Sequence, residues 1–141
     1  MTAPLDPIPT RYDEETLLRE LHRDEGLRLK PYRCTAGKLT IGVGRNLDDV
    51  GITAEEADYL LRNDVYRAEA ALDRQLPWWR NLSDVRQRVI LNMAFNLGMA
   101  GLLSFKTTLG HVEAGRYLEA AQSMLASKWA RQVGPRAERL A

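Results

Sequence analysis

The sequence predicts an α+β fold that is predominantly helical and divided into two lobes. Strand-like runs are confined to residues 27–43, a capped helical pattern starts at Thr53, and every pattern after Ser83 is helical. With 141 residues, 45% of them hydrophobic, the chain suits one globular domain and is too short for two ordinary ones. We therefore expect a small β-hairpin lobe, a long connecting helix and a C-terminal helical lobe.

The small lobe follows an extended, proline-containing arm over residues 1–12 and a first helix from about Asp13 to Asp24. Gly26 ends this helix, and we expect Leu17, Leu18 and Leu21 on its buried side. Two strands, 27–33 and 38–43, then fold around Ala36 and Gly37, and a turn-rich connection covers 46–51. The hairpin can bring one side chain from each strand towards the end of the first helix.

The helical lobe follows a long helix that opens with a capping box, Thr53 to Glu56, and ends before Pro77. A helix over about 84–97 is expected to stop at Gly98, and shorter helices are expected near 104–114, 117–127 and 135–140. We expect a single domain over 13–141, with the small lobe at about 25–55 and the helical lobe at about 76–141 plus the first helix. A cleft between lobes is the usual place for a site.

Charge and cysteine content limit the possible functions. The net charge of +1 conceals an asymmetry: residues 1–75 hold 11 Lys/Arg against 15 Asp/Glu, and residues 76–141 hold 9 against 4. The basic half suits an anionic polymer, although scattered solvated charges explain it equally well. A single cysteine, Cys34, excludes an internal disulfide, and with only two histidines no zinc set is expected. No signal peptide and no membrane-length apolar run is found, so we expect synthesis in the cytoplasm and no stable membrane insertion.

The candidate chemistry lies between residues 25 and 40. Glu25, in the last turn of a helix, faces the negative end of the helix dipole, which favours a protonated carboxyl that can donate a proton. Taken alone, it is better explained as a surface glutamate. Cys34 is either a nucleophile or base, or a small buried hydrophobe. Thr40 can orient a water molecule or simply be a residue favoured in strands.

The combination resembles phage-type lysozymes. Their signature, a glutamate, then Asp or Cys, then threonine, is met at the same spacing by Glu25, Cys34 and Thr40. The stretches 24–30 and 40–44 are similar, at almost every residue, to the corresponding sequences of the family. The stretches 85–86 and 91–98 resemble the central helix of the family, and 127–129 and 135–139 resemble its final helices.

The resemblance implies a lysozyme-like fold and a role for each matching residue. Glu25 matches the general acid, Cys34 the position held by aspartate in many members, and Thr40 the residue that helps to place the attacking water. Arg136 matches an arginine that supports the acid. Positions that line the glycan cleft are matched by Asn46, Phe95, Asn96, Thr108 and Ser123.

The implied function is that of an endolysin, a muramidase that hydrolyses the β-1,4 bond between N-acetylmuramic acid and N-acetylglucosamine in peptidoglycan. Peptidoglycan glycan strands are then the partner, the protein acts as a monomer without a metal or cofactor, and another factor releases it to the cell wall. Two alternatives stay open: a catalytically silent relative that binds peptidoglycan or scaffolds a partner, and a basic helical module that binds nucleic acid. The second lacks a recognition-helix motif, so no nucleic acid is expected.

Two departures from the family pattern are visible. Arg45 replaces a histidine that often follows the 40–44 segment, so a salt bridge made by that histidine is absent. The connection from Asn46 to Thr53 is shorter than in the members of this family from T-even bacteriophages, which predicts a reduced small lobe.

Overall fold

The computed structural model describes residues 11–141, so the predicted arm lies outside the described residues except for positions 11 and 12. Contacts divide the chain into two compact units, one ending at Leu60 and the other covering Leu61–Ala141. We call them the β unit and the helical unit. The first helix belongs to the β unit, although it was predicted as part of the helical lobe. The predicted single domain over 13–141 stays a prediction.

The first helix, α1, covers Glu14–Glu25 and matches the predicted helix within one residue. The side chain of Asp13 accepts a hydrogen bond from the Thr16 amide at its start. At its end, Gly26 adopts φ 75° and donates its amide to the His22 carbonyl, so Glu25 is the last helical residue. Helix α1 contains no buried residue, and its three leucines are 37–52% exposed. The prediction that these leucines are buried is therefore wrong, because a unit of this size buries little surface.

Three antiparallel strands follow in the order β1-β2-β3: Arg28–Arg33, Leu39–Gly42 and Arg45–Asn46. The β1–β2 turn is closed by the Gly37 amide, which donates to the Cys34 carbonyl over 2.8 Å, and Gly37 itself has φ 77°. The predicted hairpin around Ala36 and Gly37 is confirmed. The third strand was not predicted, because two residues are too few to show a strand period.

The connecting helix, α2, covers Ala54–Gln75. The Glu56 amide donates to Thr53 Oγ1 over 3.1 Å, and the Thr53 amide donates to Glu56 Oε1 over 2.8 Å. The predicted capping box is therefore confirmed. The helix ends two residues before Pro77, which begins a 3-10 segment over Pro77–Asn81.

The helical unit continues with α3 (Asp84–Leu103), α4 (Lys106–Glu113), α5 (Tyr117–Leu125), α6 (Lys128–Val133) and α7 (Pro135–Leu140). Gly98, with φ 73° and ψ 166°, breaks the helical geometry as predicted, yet a further helical turn follows it directly as part of α3. The helical periodicity did not indicate α6, whereas the resemblance of 127–129 to a final helix of the family did. The side chains at the centre of this unit are fully buried: Leu72, Trp79, Met93 and Leu102.

Within residues 11–141, no single helix is both long and apolar enough to cross a membrane. Helices α3 and α4 meet that length and composition test only as a pair, with a bend of 107° between them.

Candidate active site

Glu25 is held at the end of α1 and faces the loop between β2 and β3. An ideal Cβ placed on Gly44 would lie 3.0 Å from Glu25 Oε2 and 3.3 Å from its Cδ. The carboxyl group therefore packs against the bare backbone of Gly44, while the residue as a whole is exposed. A carboxyl placed in this way can exchange a proton with a bound molecule.

Cys34 is the first residue of the β1–β2 turn, where the side chain meets backbone amides of the turn. The amide of Lys38, followed by that of Ala36, lowers the pKa of the Cys34 thiol below its usual value, and the Thr40 hydroxyl adds to the effect. An acceptor side chain is typical of this turn position, which is why aspartate also suits it. The half-buried thiol of Cys34 therefore loses its proton more readily than an ordinary cysteine thiol.

Thr40 lies on the central strand, opposite Tyr32 on β1 and Asn46 on β3. It is 3% exposed, and its hydroxyl donates to the Lys38 carbonyl over 2.9 Å. The hairpin thus brings the predicted Cys34 and Thr40 together. A thiolate and a hydroxyl side by side can accept from and orient one water molecule.

Asn46 is used in the turn that follows β3. Its Nδ2 donates to Asp49 Oδ2 over 2.9 Å, and its Oδ1 accepts from the Asp49 amide over 3.0 Å. These bonds order the 46–49 turn. The predicted glycan-binding role of Asn46 stays a prediction.

Arg45, which the sequence analysis recognised only as a departure, forms an ion pair of its own. Its guanidinium donates to both carboxylate oxygens of Glu56, over 2.9 and 2.8 Å, and to the Gly51 carbonyl over 3.0 Å. The bonds from Arg45, together with the Thr53 amide, lower the pKa of Glu56 to about 2. This pair connects the loop beside Glu25 to the first turn of α2.

In the helical unit, the predicted Thr108 and Ser123 form a pair. Thr108 is 3% exposed, and its Oγ1 donates to Ser123 Oγ over 2.8 Å. Both residues line a pocket of about 500 Å³ that also contains Lys106 and Lys128. Sequence reasoning did not single out these two lysines, since they are common surface residues.

Asn96 holds an aromatic side chain of the same unit. Its Oδ1 accepts a hydrogen bond of 2.7 Å from Trp129 Nε1, and Trp129 also packs edge-to-face on Phe105 with ring centroids 5.8 Å apart. Trp129 is 5% exposed. The described contact of Asn96 therefore orders the wall of the Thr108 pocket, which Trp129 also lines.

Arg136 is fixed by Asn92, a residue that sequence reasoning missed. Asn92 Oδ1 accepts from Arg136 Nε over 2.9 Å and from Nη2 over 2.7 Å. These two residues and the 48%-exposed Phe95 line a pocket of about 380 Å³. Because 44 positions separate Asn92 from Arg136, only the fold reveals the pair.

Comparisons with known proteins agree with this arrangement. The family model of phage lysozyme matches residues 22–141. The chain is 36% identical over 117 residues to an endolysin of Acyrthosiphon pisum secondary endosymbiont phage 1, covering 79% of this chain and 75% of that protein. A probable T4-type lysozyme of Dictyostelium discoideum is 29% identical over 149 residues, covering 85% of this chain and 88% of that protein.

The pre-baseplate central spike protein Gp5 of Enterobacteria phage T4 is 31% identical over 166 aligned positions, which include 97% of this chain. The chain spans only 29% of the length of that spike protein. Since the alignment is longer than the 141 residues of the chain, at least 25 of its positions are gaps in this sequence. The endolysin and lysozyme relatives support a lysozyme-family function, and the matched family model shows that the chain belongs to the phage lysozyme family.

Proposed function

We propose that this protein is a muramidase that hydrolyses the β-1,4 bond between N-acetylmuramic acid and N-acetylglucosamine in peptidoglycan. The observation that carries the proposal is the 34–40 hairpin. Its turn amides favour the thiolate of Cys34, and its buried Thr40 hydroxyl lies beside that sulfur. The same small sheet leads into the loop that packs on the Glu25 carboxyl.

Glu25 is the general acid of the proposed reaction. Its carboxyl protonates the glycosidic oxygen as the bond to the anomeric carbon breaks, through an oxocarbenium-like transition state. The departing sugar leaves with a free hydroxyl, and Glu25 is left as a carboxylate. Position at the helix end and exposure to solvent suit a group that must meet a polymer.

Cys34 and Thr40 place the water that completes the reaction. Water attacks the anomeric carbon, its proton passes to the Cys34 thiolate, and the Thr40 hydroxyl orients its oxygen. Proton exchange with solvent then returns the acid and the thiolate to their starting forms. The net reaction adds one water across the glycosidic bond and consumes no cofactor.

The helical unit supplies the glycan-binding surface in this proposal. The resemblance assigns Phe95, Asn96, Thr108 and Ser123 to the glycan cleft and Arg136 to support of the acid. Asn92 preorganises the Arg136 guanidinium through two hydrogen bonds. The excess of basic residues after position 75 suits a polymer that carries muramyl and stem-peptide carboxylates. The proposal also includes release of the protein to the cell wall by another factor.

Reducing-end release from purified peptidoglycan tests the proposal. Glu25→Gln keeps the shape of the side chain but cannot donate an acidic proton, so we expect activity to fall by about 100-fold or more. Glu20→Gln, which changes an exposed glutamate on the same helix, is the matched control and should retain activity. Full activity in Glu25→Gln, or peptidoglycan binding by the unmodified protein without any product, would contradict the proposal.

A further inference from the structure

Gly44 is the one glycine of the ten at which an added Cβ would meet a polar side chain within 4 Å. A Cβ built on Gly44 would meet Glu25 Oε2 at 3.0 Å, Cδ at 3.3 Å and Cγ at 3.4 Å. The other glycine with a contact this short is Gly101, where the neighbour is the apolar Leu97. The remaining eight have nothing within 4 Å of such an atom.

Gly44 is also required to be glycine by its backbone. Its φ is 73°, a left-handed conformation that residues with a Cβ rarely adopt. Gly42, two residues earlier, has almost the same φ of 70° but open space around its missing Cβ. The two positions therefore share a positive φ, and of the two only Gly44 contacts Glu25.

The loop that carries Gly44 is fixed on both sides. Ile41 on β2 is paired with Arg45 on β3, so the chain must reverse at residues 43 and 44. Arg45 is in turn held by both carboxylate oxygens of Glu56 at the start of α2. Backbone fixed on both sides in this way can act as a preorganised wall for the neighbouring carboxyl.

We propose that Gly44 is the positioning residue for Glu25. Its Cα, which carries no side chain, limits where the carboxyl oxygens of Glu25 can lie. The acidic proton of Glu25 is thereby held in one position relative to a bound substrate. This inference rests on the proposed role of Glu25 as general acid. A Cβ at this position would lie 3.0 Å from Oε2, so the carboxyl would have to shift away from Gly44.

The experiment compares Gly44→Ala with Gly42→Ala in the full chain. Both substitutions place alanine at a positive φ, so thermal unfolding should show a similar loss of stability. Gly44→Ala alone forces the carboxyl to shift, and we expect kcat to fall on the order of 10-fold with little change in KM. Gly42→Ala should keep most of kcat. Equal kcat values for the two folded variants would overturn the proposal.

Shortening the acid provides a rescue test. In the Glu25→Asp background the carboxyl is withdrawn by one methylene, so an alanine at position 44 has more room. We expect Gly44→Ala to reduce kcat much less in that background than in the unmodified protein. Strictly additive losses would contradict a contact between the two positions.

A measurement independent of activity separates this inference from the proposed function. NMR of carbon-labelled glutamate should show the side-chain carboxyl resonance of Glu25 shifted in Gly44→Ala and unchanged in Gly42→Ala. An unchanged Glu25 resonance in Gly44→Ala overturns the positioning role, whatever the activity. A shifted resonance in a protein that releases no reducing ends supports the contact and instead contradicts the muramidase proposal.

Discussion

The β unit and the helical unit use burial for different purposes. Among described residues up to Leu60, only Thr40 is buried, and it is a polar residue of the candidate site. From Leu61 onwards, large apolar side chains such as Trp79, Leu72 and Met93 are almost completely removed from water. One unit therefore orders its side chains by turns and hydrogen bonds, and the other by packing.

This difference indicates how sequence changes should act. In the β unit the decisive features are local: the helix end at Gly26, the turn at Gly37 and the contact at Gly44. Substitutions there should change chemistry more than stability. In the helical unit, substitutions of core residues should change stability more than chemistry.

The largest expected effect on stability is that of Trp79→Ala. Trp79 is 0% exposed, and its Nε1 donates to Asp73 Oδ1 over 2.8 Å. Removal of the ring leaves a cavity and removes one of the hydrogen bonds to Asp73, so we expect a loss of about 3–5 kcal/mol in the free energy of unfolding, measured with urea. Leu29→Ala, at an 81%-exposed position on β1, is the control and should cost under about 0.5 kcal/mol. Similar losses for both would contradict the contrast between the units.

The next prediction concerns the titration of Cys34. Because turn amides lower the pKa of its thiol, the pH midpoint of its alkylation by iodoacetamide should be lower in the folded protein than in urea. The thiolate contributes stability at a pH above the unfolded pKa, and that contribution is lost as the pH falls through the folded pKa. Thr40→Val removes one of the groups that lower the pKa and should raise the midpoint. A folded midpoint at or above the urea value would contradict this account.

The smallest effect is expected for the Arg45–Glu56 pair. Its side chains are 36% and 40% exposed, so solvent screening limits the loss in Glu56→Gln to about 1 kcal/mol or less. Since the folded pKa of Glu56 is about 2, below the usual 4.5, the advantage of the unmodified protein is full above the unfolded pKa. It should disappear as the pH falls from 4.5 towards 2.

Urea unfolding at a series of pH values checks this prediction. Glu55→Gln, which changes the exposed neighbouring glutamate, is the control and should follow the unmodified protein across the pH range. A difference between Glu56→Gln and the unmodified protein that stays constant down to pH 2 would contradict the assignment of the ion pair.

Much of the fold was predictable because its signals are local. Asp13, Gly26, the capping box at Thr53 and Pro77 each act on their own turn of chain, and each bounds the element that it predicts. Gly98 shows where local reasoning fails. It interrupts the helical geometry, yet the apolar residues beyond it, including the fully buried Leu102, continue the helix into the core.

The candidate site was predictable only in part. The spacing of Glu25, Cys34 and Thr40 is visible in the sequence, and the hairpin explains how the last two meet. The amides that act on the Cys34 sulfur and the Gly44 wall require coordinates. The pairing of Arg136 with Asn92 joins residues far apart in the chain, which no local pattern can indicate.

In the proposed function, the β unit hydrolyses a glycosidic bond with Glu25 as the acid and with Cys34 and Thr40 placing the water. Mass spectrometry of peptidoglycan fragments, produced in water labelled with heavy oxygen, tests it most directly. The account predicts new reducing ends on muramic acid that carry one labelled oxygen, and their loss in Glu25→Gln. Unlabelled fragments that end in anhydromuramic acid, or the absence of any fragments with the folded, unmodified protein, would contradict this proposal.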